Sequence, residues 1–96
     1  MAIYIAIKKV KNFDEMGIYE VTSEQIHFYI EIDTVKKIIC FSENESFDMR
    51  WLLDFNDLES TIDIPWVPPR IIHAIFVKGK NVIETGVFSE NISFCA

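Results

Sequence analysis

Apolar and polar residues alternate along the first part of the chain with a period of two. Over residues 2–10, Ile3, Ile5 and Ile7 fall on one side of an extended segment and Ala2, Tyr4, Ala6 and Lys8 on the other. That spacing predicts a strand, because successive side chains of a strand point to opposite faces. GIYEVT (17–22) predicts a second short strand. IHFYIEI (26–32) predicts a third, with Ile26, Phe28, Ile30 and Ile32 opposite His27, Tyr29 and Glu31. IICF (38–41) predicts a fourth. The intervening links, Lys11 to Gly17, Ser23 to Gln25 and Asp33 to Lys37, are short and polar. Short links join antiparallel neighbours, whereas parallel strands need a long crossover. The first forty residues therefore read as an antiparallel meander.

Two later segments carry mixed patterns. In residues 43–63, Phe47, Met49, Trp51, Leu53 and Phe55 alternate with Asp48, Arg50, Leu52 and Asp54, as in a strand. Phe47, Trp51, Leu52, Phe55 and Leu58 also form a helical stripe, and Ser42 with Glu45 has the spacing of a capping box. The pattern leaves strand and helix open. Pro65, Pro68 and Pro69 then break the chain. RIIHAIFVKGKNVIET again fits two forms. One is a hairpin turning at Lys78-Gly79-Lys80-Asn81. The other is a helix that starts at Pro69, buries Ile72, Ile75, Phe76, Gly79 and Ile83, and stops at Gly86.

Composition narrows the class. Ninety-six residues, half of them hydrophobic and 14% aromatic, make one domain spanning 1–96 with a real core. The apolar runs are too short to span a bilayer. MAIYIAIKKV has its positive charges after the apolar run, the reverse of a signal peptide, so the expected location is the cytoplasm. There, Cys40 and Cys95 are expected as reduced thiols.

Charge is distributed unevenly. Residues 43–63 hold seven acids and one base, Arg50, so their net charge of −6 equals that of the whole chain. The remainder is balanced, eight acids against eight bases. An acidic balance argues against nucleic acid or an anionic membrane as partner and favours a basic one. Interfaces commonly combine aromatic anchors with a charged rim, so this stretch is the candidate contact region.

No catalytic or cofactor motif stands out, and no metal or cofactor is expected. Asp54-Phe55-Asn56-Asp57 starts like a calcium loop, but Leu58 and Glu59 then occupy the positions of an oxygen ligand and a glycine. The histidines and cysteines lack zinc-site spacing. Gly17, Gly79 and Gly86 are too dispersed to cradle a phosphate. His27 reads as a strand-surface residue and His73 as a half-buried one.

The two ends of the chain resemble a family. MAIYI, IYEV and HFYIEIDTVKKII resemble the opening sheet of contact-dependent growth inhibition immunity proteins. That sheet has an N-terminal strand, a Tyr-bearing second strand, and a third strand running through an Asp turn into a fourth. Toward the C-terminus the family places a helix, a Gly, an aromatic, Pro-Glu, then an aromatic and a small residue. Here RIIHAIF is followed by Gly86, Phe88, Ser89-Glu90, Phe94 and Ala96. Ser89 departs from the expected proline, the 33–37 link lacks a glycine, and residues 42–68 do not match.

The resemblance favours the helix for the C-terminal segment. It implies an α+β fold with about four N-terminal antiparallel strands and a C-terminal helix packed on them. It also implies a non-enzyme that binds the toxic C-terminal domain of a large secreted effector and occludes its active site. Such toxins are often nucleases, whose phosphate-holding clefts are basic. On that reading Glu43, Glu45, Asp48, Trp51, Asp54, Asp57, Glu59 and Asp63 contact the toxin. Two rival readings are a structural or regulatory subunit of a cytoplasmic complex, and a small enzyme using His27, His73 or paired carboxylates.

Overall fold

The computed structural model describes residues 4–24, 26–57 and 63–95. The elements run β1 (Tyr4–Phe13), β2 (Met16–Thr22), β3 (His27–Asp33), β4 (Ile38–Ser42), β5 (Trp51–Asp54), α1 (Pro69–Thr85) and β6 (Asn91–Cys95). The strands form one antiparallel sheet in the order β5-β4-β3-β2-β1-β6. The fold is α+β, and the first four strands form the expected meander.

The sheet has six strands, not about four. β5 arises where the acidic stretch left strand and helix open. Only Trp51–Asp54 pairs, against Ile38–Phe41. The capping box does not form; instead Ser42 Oγ accepts from the Asn44 N–H at 3.4 Å. β6 pairs with Tyr4–Lys8 on the other edge. β1 also runs past its expected end to Phe13, because the register shifts between Lys9 and Lys11 and pairing with β2 then resumes. That bulge breaks the two-residue period, so Lys11–Phe13 looked like a loop.

Cross-strand partners share a face of the sheet. One face carries the rows Tyr19–Ile30–Phe41–Trp51 and Gly17–Ile32–Ile39–Leu53. α1 covers this face with Ile71, Ile72, Ala74, Ile75 and Val82, which join the same buried cluster. Each isoleucine or valine side chain so removed from water contributes on the order of 1.5–3 kcal/mol. Gly79 lets the helix backbone approach the sheet, since a Cβ there would collide with Ile39 Cδ1. Pro69 stands at the helix start, where its missing N–H costs nothing. Gly86 ends the helix at φ 72, its N–H donating to Val82 O at 2.7 Å.

The opposite, helix-free face carries the rows Lys8–Glu20–Tyr29–Ser42 and Ile18–Glu31–Cys40–Leu52. The β4–β5 connection, residues 43–50, folds back over this face. Cys40 is buried and free. Four strand spacings, roughly 19 Å, separate β4 from β6. That is well beyond the reach of a disulfide between Cys40 and Cys95.

Candidate functional site

The connection 43–50 acts as a strap with a single plug. Phe47 is buried against Ile18 and Cys40, with Tyr29 and Ile38 alongside. To turn its ring inward, Phe47 takes the left-handed backbone conformation, φ 57, which costs a bulky residue on the order of 1 kcal/mol. Asn44 organises the turn. Its carbonyl accepts from the Phe47 N–H at 3.2 Å, and its Oδ1 accepts from Ser46 Oγ at 2.8 Å. Arg50 locks the return. Its Nε donates to Phe47 O at 3.2 Å, and its guanidinium lies 5.4 Å from the Phe47 ring centroid. It also approaches Glu31 at 3.8 Å.

With Phe47 and Arg50 so engaged, the strap presents the rest of its side chains outward. Glu43, Glu45 and Asp48 are exposed. Met49 is 67% exposed and Leu52, on the same face as Cys40, 55% exposed. Beside the strap lies a cleft of about 310 Å³ lined by Lys8, Lys9, Val10, Glu20, Tyr29 and Glu45. Glu20 pairs with His27 Nε2 at 2.7 Å and accepts from Tyr29 Oη at 3.4 Å. The His27 hydrogen bond holds the Glu20 carboxyl below its ordinary range. Desolvation, then the Glu20 and Glu45 charges, push the Tyr29 phenol up.

The structure divides the residues expected to meet a partner. Glu43, Glu45 and Asp48 belong to the strap. Trp51 turns to the helix side, half-buried, with its ring 5.3 Å from that of Trp66. Asp54 and Asp57 line a separate groove of about 510 Å³ with Phe55, Phe76, Lys37 and Lys80. Phe55 and Phe76 stack at 4.9 Å within it. Asp54 Oδ1 accepts from the Asn56 N–H at 2.8 Å, and Asn56 Nδ2 donates to Lys36 O, tying this segment to the β3–β4 turn. Asp63 is exposed, and Glu59 lies outside the described residues.

Phe47, Met49 and Leu52 were missing from the expected contact set. The signal for them was the alternation over 47–55, which sequence alone could not orient. The histidines do not converge on one centre. His27 is on the helix-free face, and His73 is on α1, exposed rather than half-buried because it points away from the sheet. Among the described residues, no group of three or more His, Cys, Asp and Glu is placed to hold a metal ion, and no helix is long and apolar enough to cross a membrane. No protein-family model, curated protein or solved structure matches the chain.

Proposed function

We propose that this chain is a non-catalytic inhibitor of the immunity type, which binds the toxic domain of a cognate effector and blocks a basic, phosphate-holding cleft. The observation that carries this reading is the acidic strap on the helix-free face. Three exposed carboxylates, Glu43, Glu45 and Asp48, stand beside two exposed apolar side chains, Met49 and Leu52. Carboxylates steer a basic partner toward the surface, and apolar side chains retain it once water is expelled. Occlusion needs no chemistry from the inhibitor, only a surface that competes with substrate for the cleft. The resemblance of both chain ends to immunity proteins supports the same reading.

The test is co-expression with the gene that precedes this one. The expected result is a co-purifying product whose C-terminal domain is toxic alone and harmless in the presence of this chain. A harmless upstream product, or a toxic one that this chain neither binds nor neutralises, rejects the proposal.

A further inference from the structure

We infer that the partner-binding surface is the strap together with Leu52, that Met49 and Leu52 are its apolar anchors, and that Phe47 is the positioning residue that presents them. The occupant is a basic segment carrying apolar side chains between its cations. That this segment belongs to a toxin rests on the inhibitor reading; the surface itself does not.

Charge selects this face over the other candidates. From Glu43 to Met49 the strap holds three acids and no base; Lys8 and Lys9 line the cleft beside it together with Glu20 and Glu45, and Lys9 is tied to Glu90 at 2.9 Å. The strap's one base, Arg50, is directed back toward Glu31 and the Phe47 ring. The groove holding Asp54, Asp57 and Glu84 also holds Lys37 and Lys80, which offset two of its three carboxylates. By sequence α1 is itself net basic, with Arg70, Lys78 and Lys80 and one acid, Glu84. A basic partner is therefore steered to the strap and away from the helix.

Geometry supplies the anchors. Leu52 lies across the β4–β5 ladder from Cys40, so it projects from the helix-free face beside the strap. Among the described residues Met49 is the most exposed large hydrophobic side chain, and its unbranched form adapts to an uneven partner surface. The buried Phe47 ring and the Asn44 bonds fix the strap before any partner arrives, which lowers the ordering cost of association.

The probe is the peptide acetyl-Arg-Leu-Lys-Leu-Arg-amide, followed through the backbone amide resonances of the whole chain. Saturable shifts are expected over residues 43–52. The acidic mirror, with Glu at the three charged positions, should not bind, and a Ser-for-Leu analogue should bind about tenfold more weakly. Met49→Ser with Leu52→Ser should lose about tenfold in affinity without a change in unfolding midpoint. Phe47→Ala should weaken binding and Phe47→Leu should restore it. Shifts confined to the Asp54–Asp57 groove, or equal binding of the acidic mirror, overturn the inference. So does self-association abolished by Leu52→Ser, which would make a second copy the occupant.

Co-expression separates this inference from the function. A toxin neutralised equally well by the Met49→Ser, Leu52→Ser variant removes the surface and leaves the inhibitor reading. Peptide binding at the strap without any toxic neighbour leaves the surface and removes that reading.

Discussion

The Trp51 indole stands edge-on to Trp66, ring centroids 5.3 Å apart and planes inclined at 81°. Trp66 in turn meets Phe28 at 5.3 Å, so the pair joins the edge strand to the core beneath the helix side. Trp51 is thereby committed to holding β5 on the sheet. The largest aromatic of the acidic stretch is a structural residue, and the outward apolar positions beside it are Met49 and Leu52.

Trp51→Ala should therefore cost stability without selectively weakening a partner. Full removal of a buried aromatic costs about 3–5 kcal/mol, and half-burial reduces this to about 2–3 kcal/mol. Trp51→Phe, which keeps a ring against Trp66, should recover most of it. Urea unfolding monitored by the remaining tryptophan gives the comparison. A Trp51→Ala protein as stable as the parent would show that the contact carries no weight.

Gly79→Ala sets two effects against each other. Alanine gains about 1 kcal/mol of helix propensity over glycine. Its Cβ, however, meets Ile39 Cδ1, and Ile39 is 0% exposed, so the side chain has nowhere to go. Overpacking of this kind costs about 1–3 kcal/mol. The single variant should be destabilised by about 1 kcal/mol. Adding Ile39→Val removes the colliding methyl, so the double variant should be more stable than Gly79→Ala alone. Thermal unfolding of the four proteins of this cycle decides it.

Tyr19 ties alkaline stability to a buried phenol. Its side chain is fully buried, and its hydroxyl donates to Ser89 O at 3.0 Å. Burial first, and the Glu90 charge second, push its pKa from 10.0 up to about 12. In the unfolded chain the phenol ionises near pH 10, while in the folded chain it stays neutral until about 12. Stability from the neutral phenol is complete below the unfolded value and is lost as pH rises through the folded one. Tyr19→Phe should lose about 1 kcal/mol at pH 7 with the hydrogen bond. That deficit should narrow as pH rises past the unfolded value. A deficit constant from neutral to alkaline pH would mean that the phenol is not protected.

What was legible in the sequence was whatever one local period could carry. The meander through Phe41 was readable because Ile5, Ile7, Phe28, Ile30 and Ile32 repeat every second residue on a half-buried sheet. The helix limits were readable from Pro69 and Gly86, whose backbones suit a start and a stop. Its choice over a hairpin was not, because Ile71, Ile72, Ile75 and Val82 are β-branched and fit either form; packing on the sheet decided it. The strap was hidden for a different reason. Phe47 extends the alternation of β5 in sequence, yet its left-handed backbone ends that alternation in space. Residues read as one acidic surface were thus distributed between the strap, the helix side and a groove. Charge could be counted along the chain, but which face each side chain occupies depends on register.

Cys40 reports directly on the strap. Its thiol is 2% exposed beneath Phe47, and desolvation, followed by the Glu31 charge, pushes its pKa up. Only the thiolate attacks a disulfide reagent, so both burial and pKa slow the reaction. In a Cys95→Ser background, Cys40 alone should react, and only as fast as the strap opens. Phe47→Ala removes the plug and should speed the reaction by about tenfold or more, in the manner of a local opening. Arg50→Ala removes the lock on the strap's return and should speed it less, because the ring remains in place. Both variants should keep the parent's far-ultraviolet dichroism, since β4 and β5 pair independently of the strap side chains. If Phe47→Ala leaves the rate unchanged while the fold persists, Cys40 is reached by unfolding of the whole sheet, and the strap is not a separately moving part.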